Sequence, residues 1–451
     1  MSRLITGSVV AILLASGGLA AGCGSASKAT PPSTAPNAPA AAGAATTTAK
    51  PAAPSPSTAT SANGGTTAAP ATTGRGGRGA APPPPPAPPA VMPAPVNPIV
   101  SETTPTPDPR VGLKAGWWDA GEAAWNMRMI STTPPAGKVL GATHSDLAFM
   151  DHYVIQGNYN GFEIYDISNP MKPTVVQTYL CPASQNDVSV YGHLLFMSSE
   201  ATNSRADCGF GGVPDPVSAQ RVRGIRIFDI SDLHKPKLVK SVQTCRGSHT
   251  HTVVTQPGDN DNVYIYVSGT AGVRPAEELP GCENGGIDDP NTARFRLEVI
   301  KVPLNAPQQA AIVSSPRIFN GLPVPPRSEE RDKQDKAERE AAQAERARQA
   351  AARGEAPAAP AAPGAGRGGA PAGPPPGPNQ CHDITVYPAI GLAGGACAGL
   401  GLLLDIRDAA HPVRIDAAAD PNMSFWHSAT FSNDGTKVLF TDEWGGGSAP
   451  R

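Results

Sequence analysis

The stretch GIRIFDIS at residues 224–231 has two near copies in the same chain, GFEIYDIS at 161–168 and GLLLDIRD at 401–408. Each copy begins with Gly, continues with apolar residues and reaches an Asp, which is the pattern of a short strand that ends in a turn. We expect each Asp to accept a hydrogen bond from a backbone N–H two or three residues on, and the Pro that follows to fix the turn. These structural turn residues are Asp166, Asp229 and Asp405, followed by Pro170, Pro236 and Pro412.

Two strand patterns precede each copy and one follows it, so the motif is part of a larger repeat. The repeat length of about 40 residues is typical of a four-stranded propeller blade. The sequence therefore predicts an all-β fold, a β-propeller with four to five visible blades over residues 109–326 and 380–451. The third blade is degenerate, because Lys301, Val302 and Pro303 replace the Asp-Ile-Ser of the motif.

The fifth blade contributes only two strand patterns, ATFS and KVLFTDE, before the sequence ends. We expect an incomplete ring, either because the sequence is truncated at its C-terminus or because a second chain completes it. A strand at an open edge presents unpaired N–H and C=O groups. The strand that contains Phe440 is expected to be that edge.

The repeated segments GFEIYDISNPMKP, GIRIFDISDLHKP and GLLLDIRDAAHP resemble the LVIVD repeat family of bacterial surface-associated β-propellers. The resemblance covers roughly residues 111–326 and 380–451, with the third blade departing from the motif. It implies a propeller on an exported protein. It implies no single biochemical activity, because one fold hosts many functions.

Residues 1–23 are predicted to be a lipoprotein-type signal, since Arg3 is followed by an apolar stretch and LAAGC ends on Cys23, the expected site of lipidation. An ordinary cleaved signal is the alternative. Residues 24–108 are rich in Pro, Ala and Thr and predict a disordered tether. Residues 327–379 interrupt the blades as an insertion whose first part is charged and helical and whose second part is rich in Pro and Gly.

The net charge of −2 provides no concentrated basic face, which argues against nucleic acid as a partner. The predicted location is extracytoplasmic, with the protein anchored to a membrane through its lipid. If the cell has two membranes, the expected location is the outer membrane or the cell surface. An envelope protein or a glycan is the expected kind of partner.

Six Cys residues remain when Cys23 is set aside, an even number in a chain predicted to be exported. Pairing of sequence neighbours is the simplest of the possible connectivities, while free or metal-bound thiols are the alternative. The predicted disulfides are Cys181–Cys208, Cys245–Cys282 and Cys381–Cys397.

Alignment of the first strand of every blade places His251, His382 and His427 in one column. The first strands of a propeller line its central channel. Three imidazoles with nearby carboxylates could therefore hold a divalent metal there, as a cofactor. The alternative is that these polar side chains bond the backbone of neighbouring blades. The carboxylates in the next column are Asp146, Asp187 and Asp383.

No G-x-S-x-G elbow and no G-x-G-x-x-G motif in a βαβ context is present, so no catalytic residue is assigned. Glu200, Asp442 and Glu443 follow second strands and could face one rim.

The sequence favours a lipid-anchored binding or scaffolding module at the cell envelope. The alternative is a metal-dependent enzyme that uses the His and Asp ring in the channel.

Overall fold

The computed structural model describes residues 10–13, 96–114, 119–135, 137–200, 204–328, 379–423 and 425–443, with separate positions between 329 and 348. The chain divides into one unit of Met1–Leu14 with Pro85–Arg451 and a second of Ala15–Pro84. The second unit, with Cys23 and most of the predicted tether, lies outside the described residues. Within the described ranges, no helix has the length and apolar character needed to span a membrane.

Strands account for nearly all regular structure in the described ranges. They are β1 (Val10–Leu13), β2 (His144–Met150), β3 (Tyr153–Asn158), β4 (Gly161–Asp166), β5 (Thr174–Leu180), β6 (Val188–Tyr191), β7 (Leu194–Ser199), β8 (Gly224–Asp229), β9 (Lys237–Gln243), β10 (Thr252–Val254), β11 (Asn262–Val267), β12 (Glu298–Pro303), β13 (Ala311–Ser314), β14 (Cys381–Tyr387), β15 (Leu392–Cys397), β16 (Leu400–Asp405), β17 (Val413–Ala418), β18 (Trp426–Phe431) and β19 (Lys437–Asp442).

These strands form four antiparallel sheets of four consecutive strands each, which we number as blades 1 to 4: β2–β5, β6–β9, β10–β13 and β14–β17. β18 and β19 begin a fifth blade. The predicted β-propeller architecture of four-stranded blades is thus confirmed, including the degenerate third blade. The first strands of consecutive blades are neighbours, because β2 contacts β6, β6 contacts β10, β10 contacts β14 and β14 contacts β18.

The repeated Gly is required where the third strand of a blade begins. Gly161 has a φ of 147° and Gly224 a φ of 139°, which L side chains rarely adopt. A Cβ at Gly161 would lie 2.0 Å from the main-chain oxygen of Tyr179, and one at Gly224 would lie 2.1 Å from that of Val242. The third strand can therefore approach the fourth only if this position carries no side chain.

The repeated Asp closes the turn that follows. Its Oδ1 accepts the N–H of the residue two positions on: Ser168 to Asp166 at 2.7 Å, Ser231 to Asp229 at 2.9 Å and Arg407 to Asp405 at 3.0 Å. The three Asp residues lie at the ends of β4, β8 and β16, far along the strand from the Gly. The motif thus fixes both ends of the third strand.

The core lies between the blades rather than inside them. Four apolar clusters fill the spaces between successive blades, and the third strands β4, β8 and β16 are buried over five of their six residues. Burial of each large apolar side chain contributes about 1.5–3 kcal/mol. This stacking explains why the third strand, buried on both faces, carries the most recognisable part of the repeat.

The fifth blade differs from the expectation of an unpaired edge. β1 pairs antiparallel with β19, and Val10 lies opposite Phe440. In the chain that still carries residues 1–23, the predicted signal, the strand that contains Phe440 therefore has a partner on each side. An unpaired strand edge is a template for any extended apolar segment, and the apolar stretch near the start of the sequence provides one.

All three predicted disulfides are present: Cys181–Cys208, Cys245–Cys282 and Cys381–Cys397. The first two join the segment that enters a blade to the long connection between its second and third strands. The third links opposite residues of β14 and β15. Disulfides persist in oxidising compartments, so they indicate an extracytoplasmic location.

Residues at the predicted boundaries of the domain also have defined partners. Ile99 bridges Trp125, and the indole N–H of Trp125 donates to the main-chain oxygen of Ser101 at 3.1 Å. Ordered contacts thus begin before residue 109.

In the insertion, the described positions between 329 and 348 are helical and exposed, as a segment without an apolar stripe should be.

Candidate functional site

Three histidines from blades 3, 4 and 5 meet where the first strands of those blades begin. His249 precedes β10, His382 is the second residue of β14 and His427 is the second residue of β18. The His249 and His382 ring centroids are 4.6 Å apart, and those of His382 and His427 are 4.2 Å apart. We call His249, His382 and His427, with Glu200 and Glu443, the histidine centre.

On one side of the centre, Glu200 and His249 form a fixed pair. Glu200 Oε2 lies 3.0 Å from His249 Nδ1, and the hydroxyl of Thr270 donates to Glu200 Oε1. The other ring nitrogen of His249, Nε2, lies 2.9 Å from Nε2 of His382. Because the carboxylate only accepts hydrogen bonds, Nδ1 of His249 carries a proton and its ring orientation is set by Glu200.

On the other side, His382 is oriented by its neighbour on β18. Nδ1 of His382 donates to the main-chain oxygen of His427 at 2.9 Å. Nε2 of His427 lies 3.8 Å from Glu443 Oε2. His382, His427 and Glu443 each present one donor atom within 4.8 Å of the others. This spacing would suit a shared metal ion.

The environment of His382 favours its neutral form. Burial, followed by the nearby His249 and His427, lowers the pKa of His382 to about 4. With its proton on Nδ1, neutral His382 has its lone pair on Nε2, toward His249. A neutral imidazole is the form that binds metals.

His251, the third predicted ligand, lies elsewhere. Its side chain is fully buried, and Nδ1 is 2.9 Å from both Asp187 Oδ2 and the hydroxyl of Ser198. Its backbone N–H also donates to Asp187 at 3.0 Å. His251 thus connects blade 3 to blade 2. Bonding between neighbouring blades was the alternative to metal binding for the histidines of the first strands.

The predicted carboxylates form a second group around Asp187. Burial, then the charge of Asp187 and a hydrogen bond between the two carboxyls, raise the pKa of Asp146 to about 6. Burial raises the pKa of Asp187, but the hydrogen bond and charge of His251 outweigh it and lower that pKa. Burial and then Asp187 raise the pKa of Asp383. Asp146 and Asp187 therefore interact with each other and with His251, whereas Asp383 lies near Asp187 and also near His427 and His249.

Sequence reasoning missed His249, which lies outside the aligned columns. The sequence pattern carries no periodic signal for His249, because residues 249 and 250 form a bend before β10 rather than part of a strand. Glu200 and Glu443, which the sequence suggested could face one rim, lie against His249 and His427 respectively. Asp442 accepts the N–H of Phe425 at 2.7 Å instead.

Beside the centre, two long connections form a braced surface that we call the loop platform, residues 204–223 and 268–297. The side chain of Glu278 is fully buried and pairs with Arg221 of the first connection and with Arg274 at 2.7 Å. The disulfides Cys181–Cys208 and Cys245–Cys282 hold each connection to its own blade. The platform is therefore cross-linked both within and between its two parts.

Three solved structures that match this chain have low sequence identity to it. A functionally unknown protein from Desulfotomaculum acetoxidans has 11% identity and a TM-score of 0.35, covering 66% of this chain, and the chain spans 63% of that protein. A Lactobacillus plantarum protein has 10% identity and a TM-score of 0.31, with 66% of this chain and 77% of that one covered. A periplasmic gluconolactonase from Pseudomonas aeruginosa has 10% identity, the same coverage and a TM-score of 0.30.

A comparison with curated protein sequences finds no match. The LVIVD repeat family matches residues 145–181. That range runs from the first strand of blade 1 to Cys181 and contains the motif with Asp166 and Pro170. The chain therefore carries an LVIVD repeat in the first blade of its propeller.

Proposed function

We propose that this chain is an exported propeller, anchored to the envelope by a lipid on Cys23, that binds an envelope protein through its loop platform. The observation that carries the binding role is the buried Arg221–Glu278–Arg274 cluster, which joins two long connections from different blades. A surface that is rigid before binding loses little conformational entropy when a partner docks. Connections of this kind on a stable scaffold are the usual place for binding residues.

The exposed side chains of the platform favour a protein partner. Phe210 is 60% exposed, Val217 44% and Ile287 41%, although all three are large and apolar. They lie on both connections of the platform. Exposed aromatic and aliphatic side chains on a rigid surface are typical anchors of protein–protein interfaces.

The binding role is tested by cross-linking in intact cells with Phe210→Ser. We expect a specific cross-linked protein with the unaltered chain and a large reduction with the variant. Met171→Ser is the matched control, since Met171 is 61% exposed but lies in the turn after β4, at the opposite end of the strands. Equal cross-linking by both variants would contradict the proposal, as would retention on purified envelope glycan with no protein captured.

The anchor is tested separately with Cys23→Ser. The variant should move from the membrane fraction to the soluble fraction and lose incorporation of labelled fatty acid. Ser25→Ala, two residues away, should stay in the membrane fraction and keep the label. A Cys23→Ser protein that remains membrane-bound would show that the anchor proposal is wrong, without affecting the binding role.

A second candidate is a metal-dependent enzyme, favoured by one observation. The side chains of His427 and Glu443 are partly exposed, at 38% and 31%, on one side of the histidine centre. A small molecule could therefore reach a metal held there. The first requirement of that function is the bound metal ion itself.

A further inference from the structure

We infer that His249, His382, His427 and Glu443 form a binding site for one divalent first-row transition-metal ion, with Glu200 holding His249 in position. The site does not involve the lipid anchor. Its proposed ligands lie outside the loop platform, although Thr270 of the platform donates to Glu200. Its ligand set differs from the sequence-based ring, because His249 and Glu443 replace His251 and the aspartates.

The first argument is the orientation of the two central rings. Each has its Nδ1 held by an acceptor, Glu200 for His249 and the main-chain oxygen of His427 for His382. Both Nε2 atoms therefore point into the same space. Metal-binding histidines usually donate their other ring N–H to a carboxylate or a main-chain carbonyl, as both rings do here.

The second argument is distance. With a metal–nitrogen bond of about 2.1 Å, two ligands at a right angle are ~3.0 Å apart and two tetrahedral ligands ~3.4 Å apart. The Nε2 atoms of His249 and His382 are 2.9 Å apart. The donor atoms of His382, His427 and Glu443 lie within 4.8 Å of one another. The 2.9 Å separation fits two ligands at a right angle, as in a six-coordinate ion. Nε2 of His427 and Oε2 of Glu443 are 3.8 Å apart, so these two side chains must move closer together to bind the same ion at adjacent positions.

The third argument is that the close contact between Nε2 of His249 and Nε2 of His382 requires an electron-pair acceptor. The two atoms are 2.9 Å apart, and each presents a lone pair to the other unless a proton or a metal ion lies between them. His249 already carries a proton on Nδ1, facing Glu200. A second proton would make it an imidazolium, whereas a metal ion bound by both nitrogens would satisfy both lone pairs.

The donor set selects the class of metal. Three imidazole nitrogens and one carboxylate suit Mn²⁺, Fe²⁺, Co²⁺, Ni²⁺ or Zn²⁺, whereas Ca²⁺ and Mg²⁺ prefer oxygen ligands. The nearby sulfurs of Cys381 and Cys397 are joined in a disulfide and supply no thiolate. Four protein ligands leave two positions of a six-coordinate ion for water or another small ligand on the exposed side.

The support behind Glu200 makes its role testable. Glu200 accepts from the Thr270 hydroxyl, and its backbone N–H donates to Ser184 at 3.2 Å. Glu200 is therefore a positioning residue that acts through His249. Loss of such an outer partner typically lowers metal affinity about 10- to 100-fold.

The test is a titration of the untagged, disulfide-intact protein with Co²⁺, followed by visible absorption and equilibrium dialysis. We expect one Co²⁺ per chain. Glu443→Gln and His382→Gln should each weaken binding at least 100-fold, and Glu200→Gln about 10- to 100-fold with one-to-one stoichiometry retained. His411→Gln is the control, since His411 is an exposed histidine of the same blade as His382 and should bind as the unaltered protein does.

Circular dichroism melts of each variant distinguish loss of a ligand from loss of the fold. Should His382→Gln unfold, Glu443→Gln still decides the question, because Glu443 lies at the partly exposed side of the site. Absence of saturable Co²⁺ binding by the unaltered protein would overturn the inference and leave a hydrogen-bonded histidine pair only. Equal binding by all variants would overturn it as well.

Discussion

Nε2 of His249 and Nε2 of His382 lie 2.9 Å apart across the boundary between blades 3 and 4. The two residues are separated by more than 130 positions and by the insertion at residues 327–379. Only the neighbouring placement of β10 and β14 brings them together. The insertion therefore leaves and rejoins the propeller without separating the two blades whose first strands build the histidine centre.

The glycines that open β4 and β8 should tolerate no side chain. Gly161→Ala should lower the free energy of unfolding by more than about 2 kcal/mol, because the new Cβ would overlap the oxygen of Tyr179 in a strained backbone. Gly192→Ala is the control: its φ is 58°, but a methyl group added there would have no other atom within 4 Å. Urea denaturation of both variants measures the difference, and equal losses would contradict this account.

Breaking the buried Arg221–Glu278–Arg274 cluster of the loop platform should lower the free energy of unfolding. Glu278→Gln leaves Arg221 and Arg274 without their buried carboxylate and should destabilise the protein by about 3 kcal/mol. Arg110→Met is the comparison, since it removes a solvent-exposed pair with Asp108 and should leave the free energy of unfolding nearly unchanged. Thermal melts give both values. A Glu278→Gln protein as stable as Arg110→Met would mean that the platform is not braced in this way.

The Asp146–Asp187 pair should make stability depend on pH. The pKa of Asp146 in the folded protein is about 6, above its ordinary value of 3.8. The folded protein therefore holds this proton more tightly than the unfolded chain, and the resulting stability is full below pH 3.8 and lost as the pH rises through 6. An amide at this position keeps a hydrogen-bond donor at every pH.

Asp146→Asn should accordingly raise Tm at pH 7.5 and leave it nearly unchanged at pH 4. The gain should be small, about 2 °C, because Asp146 is partly exposed and solvent screens the interaction. Asp151→Asn, an exposed change in the turn between β2 and β3, should show no such pH dependence. A Tm difference for Asp146→Asn that is the same at both pH values would count against a proton shared with Asp187.

Much of the fold was predictable because its signals are local and repeated. Gly161 and Asp166 each act on atoms a few residues away or on the adjacent strand, so the pattern alone indicates a strand between them. The disulfides follow the same logic, since each joins sequence neighbours within one blade. The pairing of β1 with β19 was not predictable, because an open edge can select any extended segment.

The site was less accessible to sequence reasoning. His382 and His427 were found because they occupy equivalent positions of the first strands. His251 occupies that same position, yet Asp187 and Ser198 hold it within the blade interface, which depends on side chains of another blade. His249 and Glu200 lie in connections that follow no period, so only the fold shows that they meet.

The most direct test of the histidine centre is crystallographic. Crystals of the untagged protein grown with Co²⁺, measured at the cobalt absorption edge, should show one strong anomalous peak about 2.1 Å from Nε2 of His249, His382 and His427, with Glu443 completing the ligands. A peak elsewhere, such as between Asp146 and Asp187, or no peak while the His249–His382 contact is retained, would contradict the account.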